Sequence, residues 1–148
     1  MEIAILALGC FWKPEIEFNK LDGVVKTEVG YCGGNTIDTN YEEVCTGKTN
    51  HAEVVKLEFD NTKISFEKIL YIFFETHNPT TINQQGPDIG TQYRSEIFYI
   101  NDEQKKIAES VLEKCNKKYN GKIVTKISKM KNYCKAENYH QKYLEKKL

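Results

Sequence analysis

The amino-acid sequence predicts an α+β fold, a two-layer α/β sandwich made of one sheet and the helices packed on it. Apolar residues recur at strand or helix spacing in the order strand, helix, strand, strand, helix, strand, and a further helix, strand and helix follow. This βαββαβ order is that of a ferredoxin-like plait, here with extra C-terminal helix and strand elements. With 148 residues, 40% of them hydrophobic and 11% aromatic, the chain is expected to form one globular domain over residues 1–148.

The first three elements follow from simple patterns. Residues 3–8 are apolar at every position, as in a central strand that is buried on both faces. A helix is predicted over about residues 14–21, because proline is tolerated in a first helical turn and Asp22-Gly23 ends the pattern. Residues 24–31 alternate in polarity and form the second predicted strand.

The middle of the chain contributes a short helical turn, a third strand and a longer helix. The turn covers residues 41–45, with Thr39 or Asn40 as its cap. Residues 51–59 form the third strand. Ser65 then caps a helix whose apolar residues recur at helical spacing. These residues are Phe66, Ile69, Leu70, Phe73 and Phe74.

The C-terminal third returns to the sheet and then extends it. Residues 95–100 form a strand, and Asn101-Asp102 contains the cap of a long helix that ends at Asn120-Gly121. Residues 122–129 are predicted as an edge strand, and residues 136–147 as a final helix with lysines toward its end.

Composition excludes several classes of function. Lysines and arginines number 21, as do aspartates and glutamates, so the net charge of +0 favours neither nucleic acid nor an anionic membrane as a partner. No segment has the apolar length of a membrane span, and no secretory signal is recognised, so a reducing cytoplasm is the expected location. The five cysteines include no C-x-x-C pair, and the three histidines are scattered, so we expect neither a disulfide framework nor a metal or other cofactor.

The most informative motif is Gly9-Cys10-Phe11-Trp12, which lies between the first strand and the first helix. A cysteine at this junction would face the unpaired N–H groups and the positive dipole end of the helix, which favour the nucleophilic thiolate. The alternative is a buried structural cysteine, because cysteine often behaves as a small hydrophobic residue.

A carboxylate interrupts the third strand. Since side chains alternate along a strand, Glu53 shares a face with Val55, Leu57 and Phe59. Burial there would raise its pKa into the range of a general acid. Alternatively, Glu53 lies at the exposed start of the strand, where alternation carries little meaning.

A long polar loop covers residues 80–94. It brings together the carboxylate of Asp88, the amide of Gln92, the phenol of Tyr93 and the guanidinium of Arg94. Such a set suits a polar binding wall, but it also suits an ordinary hydrogen-bonded loop.

Taken together, these segments resemble the A-type peptide-methionine sulfoxide reductases, in the family's order and over nearly the whole chain. The motifs that carry the resemblance are Gly9-Cys10-Phe11-Trp12, Gly30-Tyr31 with Gly33-Gly34, Tyr41-Glu42-Glu43-Val44-Cys45, His51-Ala52-Glu53, Gly90-Thr91-Gln92-Tyr93-Arg94-Ser95 and Ala136-Glu137-Asn138-Tyr139-His140-Gln141. The sequence departs from the family at Lys13, where glycine is usual. It also ends at Leu148, whereas many members have a resolving cysteine in a C-terminal tail.

The resemblance implies a reductase of methionine S-sulfoxide, both free and in oxidised proteins and peptides. Cys10 would attack the sulfoxide sulfur and be left as a sulfenic acid, while Glu53 protonates the oxygen. Three further residues would complete the polar wall around that oxygen: Tyr41, Tyr93 and Asp88. Phe11 and Trp12 would form the apolar slot for the S-methyl group.

The sulfenic acid must then be reduced by a second thiol. Cys134 is the first candidate for an internal resolving thiol, because it precedes the family-like segment at 136–141, and Cys32 is the second. Cys45 and Cys115 are interpreted as structural. A cycle completed by a small thiol or a glutaredoxin-like partner is equally consistent, as is thioredoxin acting on an internal disulfide. A monomer is expected.

Three other classes stay open at this point. A cysteine hydrolase would pair Cys10 with His51 or His140. A thiol peroxidase would turn over hydrogen peroxide faster than methionine sulfoxide. A binding protein would hold a sulfoxide peptide and leave it unchanged.

Overall fold

Residues 1–143 of this computed structural model are described, and they form eight strands and four α-helices. The strands are β1 (Glu2–Leu8), β2 (Val24–Cys32), β3 (Ala52–Phe59), β4 (Gln84–Gln85), β5 (Asp88–Ile89), β6 (Ser95–Tyr99), β7 (Lys126–Lys129) and β8 (Cys134–Lys135). The helices are α1 (Trp12–Asn19), α2 (Tyr41–Cys45), α3 (Phe66–Glu75) and α4 (Asp102–Lys118).

Six of these strands form one mixed sheet in the order β7-β6-β1-β3-β2-β8. Neighbouring strands are antiparallel, except that β7 runs parallel to β6. The central strand β1 therefore lies between β3 and β6, as its continuous apolar sequence predicts. β7 lies at one edge, which confirms the predicted edge strand, although it begins at Lys126 and is shorter than expected.

The main core fills the space between one face of this sheet and the helices. Apolar side chains of β1, β2, β3 and β6 pack there against α1, α3 and α4. The five apolar residues predicted for the α3 stripe are all buried, and the Ser65 side chain accepts a hydrogen bond from the Lys68 backbone N–H as the predicted cap. A smaller cluster on the opposite face includes Cys32 and is partly covered by Tyr133.

The polar loop at 80–94 contains structure of its own. β4 and β5 pair as a small hairpin, and residues 91–93 form one 3-10 turn before β6. The hairpin and the turn hold Asp88 and Tyr93 close to the end of β1, where Cys10 begins the crossover to α1.

The final helix predicted over residues 136–147 is wrong for the part that is described. β8 pairs with β2, and residues 138–140 form a 3-10 turn. The physical reason is that polar side chains here bond to the sheet. The Gln141 side chain accepts from the Val29 N–H and donates to the Val29 carbonyl, which holds the segment along the sheet edge. Residues 144–147 of that prediction lie outside the described residues.

Between residues 1 and 143, no helix combines the length and the apolar character that crossing a bilayer requires.

Candidate active site

Cys10 lies in the turn between β1 and α1, where Gly9 adopts a φ of +94°. The thiol is half-buried and lines a groove of about 200 Å³. The same groove is lined by Lys13, Pro14, Glu17, His77, Gln85 and Asp88. Lys13, the position at which the sequence departs from the resembling family, is therefore on the rim of the groove.

The electrostatic prediction for Cys10 is wrong. Burial, together with the smaller effect of the nearby carboxylates of Glu53 and Asp88, raises the pKa of the Cys10 thiol to about 12. A hydrogen bond from the Trp12 backbone N–H lowers the pKa, as expected at a helix start, but it does not outweigh burial. The resting group is therefore a thiol, and its proton must leave during the reaction.

Glu53 is buried in β3, with 1% of its surface exposed, as the alternation of the strand predicts. Its Oε1 accepts a hydrogen bond from the Phe11 N–H at 3.3 Å, whereas Oε2 is buried and has no hydrogen-bond partner within the described residues. Burial raises the pKa of Glu53 to about 8, and the Asp88 carboxylate adds to this effect. At neutral pH, Glu53 is mostly protonated and can donate a proton.

Two phenols form a pair near Glu53, with Tyr93 close enough to be affected by the Glu53 charge and Tyr41 bonded to Tyr93. The hydroxyl groups of Tyr41 and Tyr93 hydrogen-bond to each other. Burial raises the pKa of Tyr93 to about 12, with the negative charges of Glu53 and Asp88 contributing. The structure therefore brings together Glu53, Tyr41, Tyr93 and Asp88, and both phenols stay protonated as donors.

The two aromatic residues after Cys10 differ in exposure. Phe11 is 1% exposed, and its ring packs against those of Tyr31 and His140, with centroids 5.8 and 5.3 Å away. The Trp12 ring is only partly buried and stacks on Tyr143 at 3.9 Å. Trp12 thus offers more apolar surface to a ligand than Phe11.

The sequence predicts no role for Glu137, and for His140 only that of a partner to Cys10 in a hydrolase, although both residues lie in the motif at 136–141. Glu137 accepts hydrogen bonds from the Tyr31 hydroxyl and from the Tyr41 N–H, so it ties β2 to α2. His140 Nδ1 accepts from the Trp12 indole N–H at 3.1 Å, and its ring packs on Tyr41. The available signal was a cluster of polar residues in a segment without apolar periodicity.

The two candidate resolving thiols do not contact Cys10. Cys32 is buried on the opposite face of the sheet, and its thiol donates to the Lys131 carbonyl. Cys134 lies in β8, three strand positions from β1, which corresponds to about 14 Å. The predicted structural role holds for Cys115, which is in the main core. For Cys45 it stays a prediction, since this thiol is exposed and hydrogen-bonds to the Tyr41 hydroxyl.

The two histidines considered as hydrolase residues, His51 and His140, hydrogen-bond to groups other than Cys10. His51 accepts from the Gly34 N–H through Nδ1 and donates to the Thr36 carbonyl through Nε2. His140 Nδ1 is occupied by Trp12. His140 Nε2 is buried without a partner among the described residues, but neither His51 nor His140 is among the groups that act on the Cys10 thiol, so these histidines do not form the Cys–His pair that hydrolysis needs. Within residues 1–143, no group of histidine, cysteine, aspartate or glutamate side chains is placed to hold a metal ion.

Comparison with known proteins agrees with this geometry. The family model described as "Peptide methionine sulfoxide reductase" matches residues 2–148. The chain is 68% identical over 147 residues to the peptide methionine sulfoxide reductase MsrA of Pelagibacter ubique, covering 99% of this chain and 100% of that protein. It is 54% identical over 143 residues to MsrA of Ruthia magnifica, covering 97% and 85% of the two chains.

Solved structures agree as well. The crystal structure of Mxr1 from Saccharomyces cerevisiae in reduced form matches with a TM-score of 0.94 and 39% identity, over 98% of this chain and 84% of that chain. The structure of Mxr1 in complex with Trx2 matches with a TM-score of 0.69 and 27% identity, over 96% and 84% of the two chains. The mixed α/β architecture, with its central mixed sheet and four helices in the described part, is thus that of known relatives.

Proposed function

The chain belongs to the peptide methionine sulfoxide reductase family, and on that premise we propose that it reduces methionine S-sulfoxide through attack by the Cys10 sulfur. The substrates are free methionine sulfoxide and oxidised proteins and peptides. The single observation that carries the proposed mechanism is a protonated, buried Glu53 next to the Cys10 turn. A protonated acid at this position can supply the proton that the departing oxygen needs.

Proton transfer and attack have to occur together, because the resting Cys10 thiol has a pKa of about 12. The Cys10 sulfur forms a bond to the sulfoxide sulfur, and the sulfoxide oxygen takes the proton of Glu53. In the same step the Cys10 thiol proton passes to Glu53, which is thereby protonated again. Transfer of the hydroxyl to Cys10 releases methionine, so the thiol becomes a sulfenic acid and the sulfoxide becomes a thioether.

The remaining residues of the site bind and orient the sulfoxide. The hydroxyls of Tyr41 and Tyr93 donate to its oxygen, where negative charge develops during attack. Asp88 completes the polar wall. The Trp12 and Phe11 rings form the slot for the S-methyl group through dispersion and sulfur–aromatic contacts.

The sulfenic acid is reduced by an external thiol. The solved complex of yeast Mxr1 with Trx2 supports thioredoxin as the donor, and glutaredoxin or a small thiol can do the same chemistry. The position of Cys134, three strands away, makes direct disulfide formation with Cys10 dependent on a large movement of the chain. A cytoplasmic, monomeric enzyme remains our proposal.

We also propose that the sheet and its helices form a ferredoxin-like plait. The order β6-β1-β3-β2 with antiparallel neighbours supports a ferredoxin-like plait, to which β7 and β8 are added at the two edges. We treat residues 1–148 as one catalytic domain.

The test is a single-turnover reaction with a methionine S-sulfoxide peptide, in which mass spectrometry measures whether the peptide has lost its oxygen. The wild-type protein is expected to remove one oxygen from the peptide, and Cys10→Ser is expected to bind the peptide and leave it oxidised. Cys115→Ser is the matched control, since that thiol is in the core. Equal consumption of the S and R epimers, retained activity in Cys10→Ser, or faster turnover of hydrogen peroxide would contradict the proposal.

A further inference from the structure

Gln85 is one of several polar side chains of the Cys10 groove that the proposed chemistry does not use. Gln85 ends β4 and lines the groove together with Cys10 and Asp88. We propose that Gln85 is a positioning residue, which fastens the β4–β5 hairpin to the Cys10 turn and so fixes the Asp88 carboxylate relative to the reacting sulfur. The inference rests on the proposed function, since it concerns the same site.

The Gln85 amide is fully engaged on the segment that follows α3. Its Oε1 accepts from the Asn78 backbone N–H at 3.0 Å, and its Nε2 donates to the Asn78 carbonyl. Nε2 also donates to the Thr81 hydroxyl at 3.3 Å. One side chain therefore bonds both polar groups of a backbone residue, which fixes the position and the rotation of the amide.

The aliphatic part of Gln85 lies directly on the Cys10 turn. A Cβ atom at residue 9 would lie 2.6 Å from Cγ and 2.8 Å from Cβ of Gln85, which is closer than such atoms can approach. Gly9 is thus required both by its φ of +94° and by this contact. The Gln85 methylenes therefore pack directly on Gly9, the residue that precedes Cys10.

Because Gln85 is held in place by these contacts, it also fixes the position of Asp88. The two residues are directly paired across the β4–β5 hairpin. Asp88 in turn acts electrostatically on Cys10, Glu53 and Tyr93. A small displacement of the hairpin would alter the field at the thiol, the acid and the phenol together.

The neighbouring glutamine provides a natural comparison. Gln84 Nε2 donates to the Gly86 carbonyl within the same hairpin, so its side chain does not fasten the hairpin to another element through that bond. The Thr81 hydroxyl to Gln84 carbonyl bond and the Gly90 N–H to Asn83 carbonyl bond also stay within the loop. Gln84 and Gln85 are thus adjacent and chemically identical but differ in what they hold.

The experiment compares Gln85→Ala with Gln84→Ala and measures kcat, KM and the pH dependence of Cys10 alkylation. We expect kcat/KM to fall roughly 10- to 100-fold in Gln85→Ala, since displacements of about 1 Å in a site have effects of this size. Gln84→Ala should stay within about twofold of wild type. Gln85→Met keeps the methylene contact with Gly9 but loses the hydrogen bonds of the amide, so it distinguishes the effect of the hydrogen bonds from that of packing. It also replaces Gln85→Ala if that variant does not fold.

A double-mutant cycle distinguishes positioning from general loosening. If Gln85 acts through Asp88, then Gln85→Ala combined with Asp88→Asn should be no slower than the more damaged single variant, and Cys10 alkylation should titrate as in Asp88→Asn. Additive effects, or equal activity of Gln85→Ala and Gln84→Ala, would overturn the inference. Retained activity in Cys10→Ser would instead refute the proposed function. The alkylation comparison would still decide the role of Gln85.

Discussion

The Phe11 backbone N–H donates a hydrogen bond to Oε1 of Glu53 across 42 residues of sequence, at 3.3 Å. This bond ties the residue after the nucleophile to the buried strand that carries the acid. It also orients Glu53, because it occupies one carboxyl oxygen and leaves Oε2 to carry the proton. Attack and proton donation are thereby coupled through one backbone group.

The first prediction concerns Glu53 as the acid. Glu53→Gln keeps an oxygen for the Phe11 N–H but cannot donate a carboxyl proton, so the single-turnover rate at pH 7 should fall by at least about 100-fold. The wild-type rate should decline as the pH rises through about 8, where Glu53 loses its proton. Glu58→Gln, on the other face of β3, is the matched control. Rapid-quench kinetics would count against an acid role if the two variants were equally fast.

The second prediction links the same group to stability. The pKa of Glu53 is raised from 4.5 to about 8, so the folded state holds a proton that the unfolded state releases above pH 4.5. Stability associated with this group is therefore lost as the pH rises from about 4.5 to 8. Glu53→Gln should remove that loss, on the order of 3 kcal/mol at pH 7. Urea unfolding of both proteins at pH 5 and 7 checks this, and a pH-independent difference would contradict it.

The third prediction concerns the thiol itself. With a pKa of about 12, Cys10 should alkylate slowly at neutral pH and show no thiolate absorbance there. Removing the Asp88 charge in Asp88→Asn should lower the pKa and speed alkylation, because a like charge is lost. Asp102→Asn, at the start of α4, is the control. Peptide mapping after a timed alkylator pulse identifies Cys10, and an inflection near pH 7 in the wild type would refute the prediction.

The fourth prediction concerns the oxidation product of Cys10 after one turnover. Without a reductant, one turnover should add a single oxygen to the protein, since Cys32 and Cys134 lie away from Cys10. Loss of two hydrogens would instead reveal an internal disulfide. Intact mass of the wild type and of Cys134→Ser distinguishes these outcomes, with Cys32→Ser as the second comparison. If only Cys134→Ser gained the oxygen, Cys134 would be the resolving thiol.

The sequence predicted the elements whose patterns are local. The α3 stripe and its Ser65 cap follow from helical spacing within eleven residues, from Ser65 to Glu75, and all five stripe residues are buried. Alternation in β3 likewise placed Glu53 on the buried face. The C-terminal segment could not be predicted in this way, because the bonds of Gln141 to Val29 join positions 112 residues apart.

The sequence by itself determined the family and the order of the elements from β1 to α4, apart from the β4–β5 hairpin, and it named Cys10 and Glu53 as candidates for the nucleophile and the acid. The protonation of Cys10 was decided by the tertiary structure alone. A helix start favours thiolate, but burial and the carboxylates of Glu53 and Asp88 reverse that preference. These groups come from β3 and β5, and a pKa depends on distance and solvent exclusion in space, which local sequence does not contain.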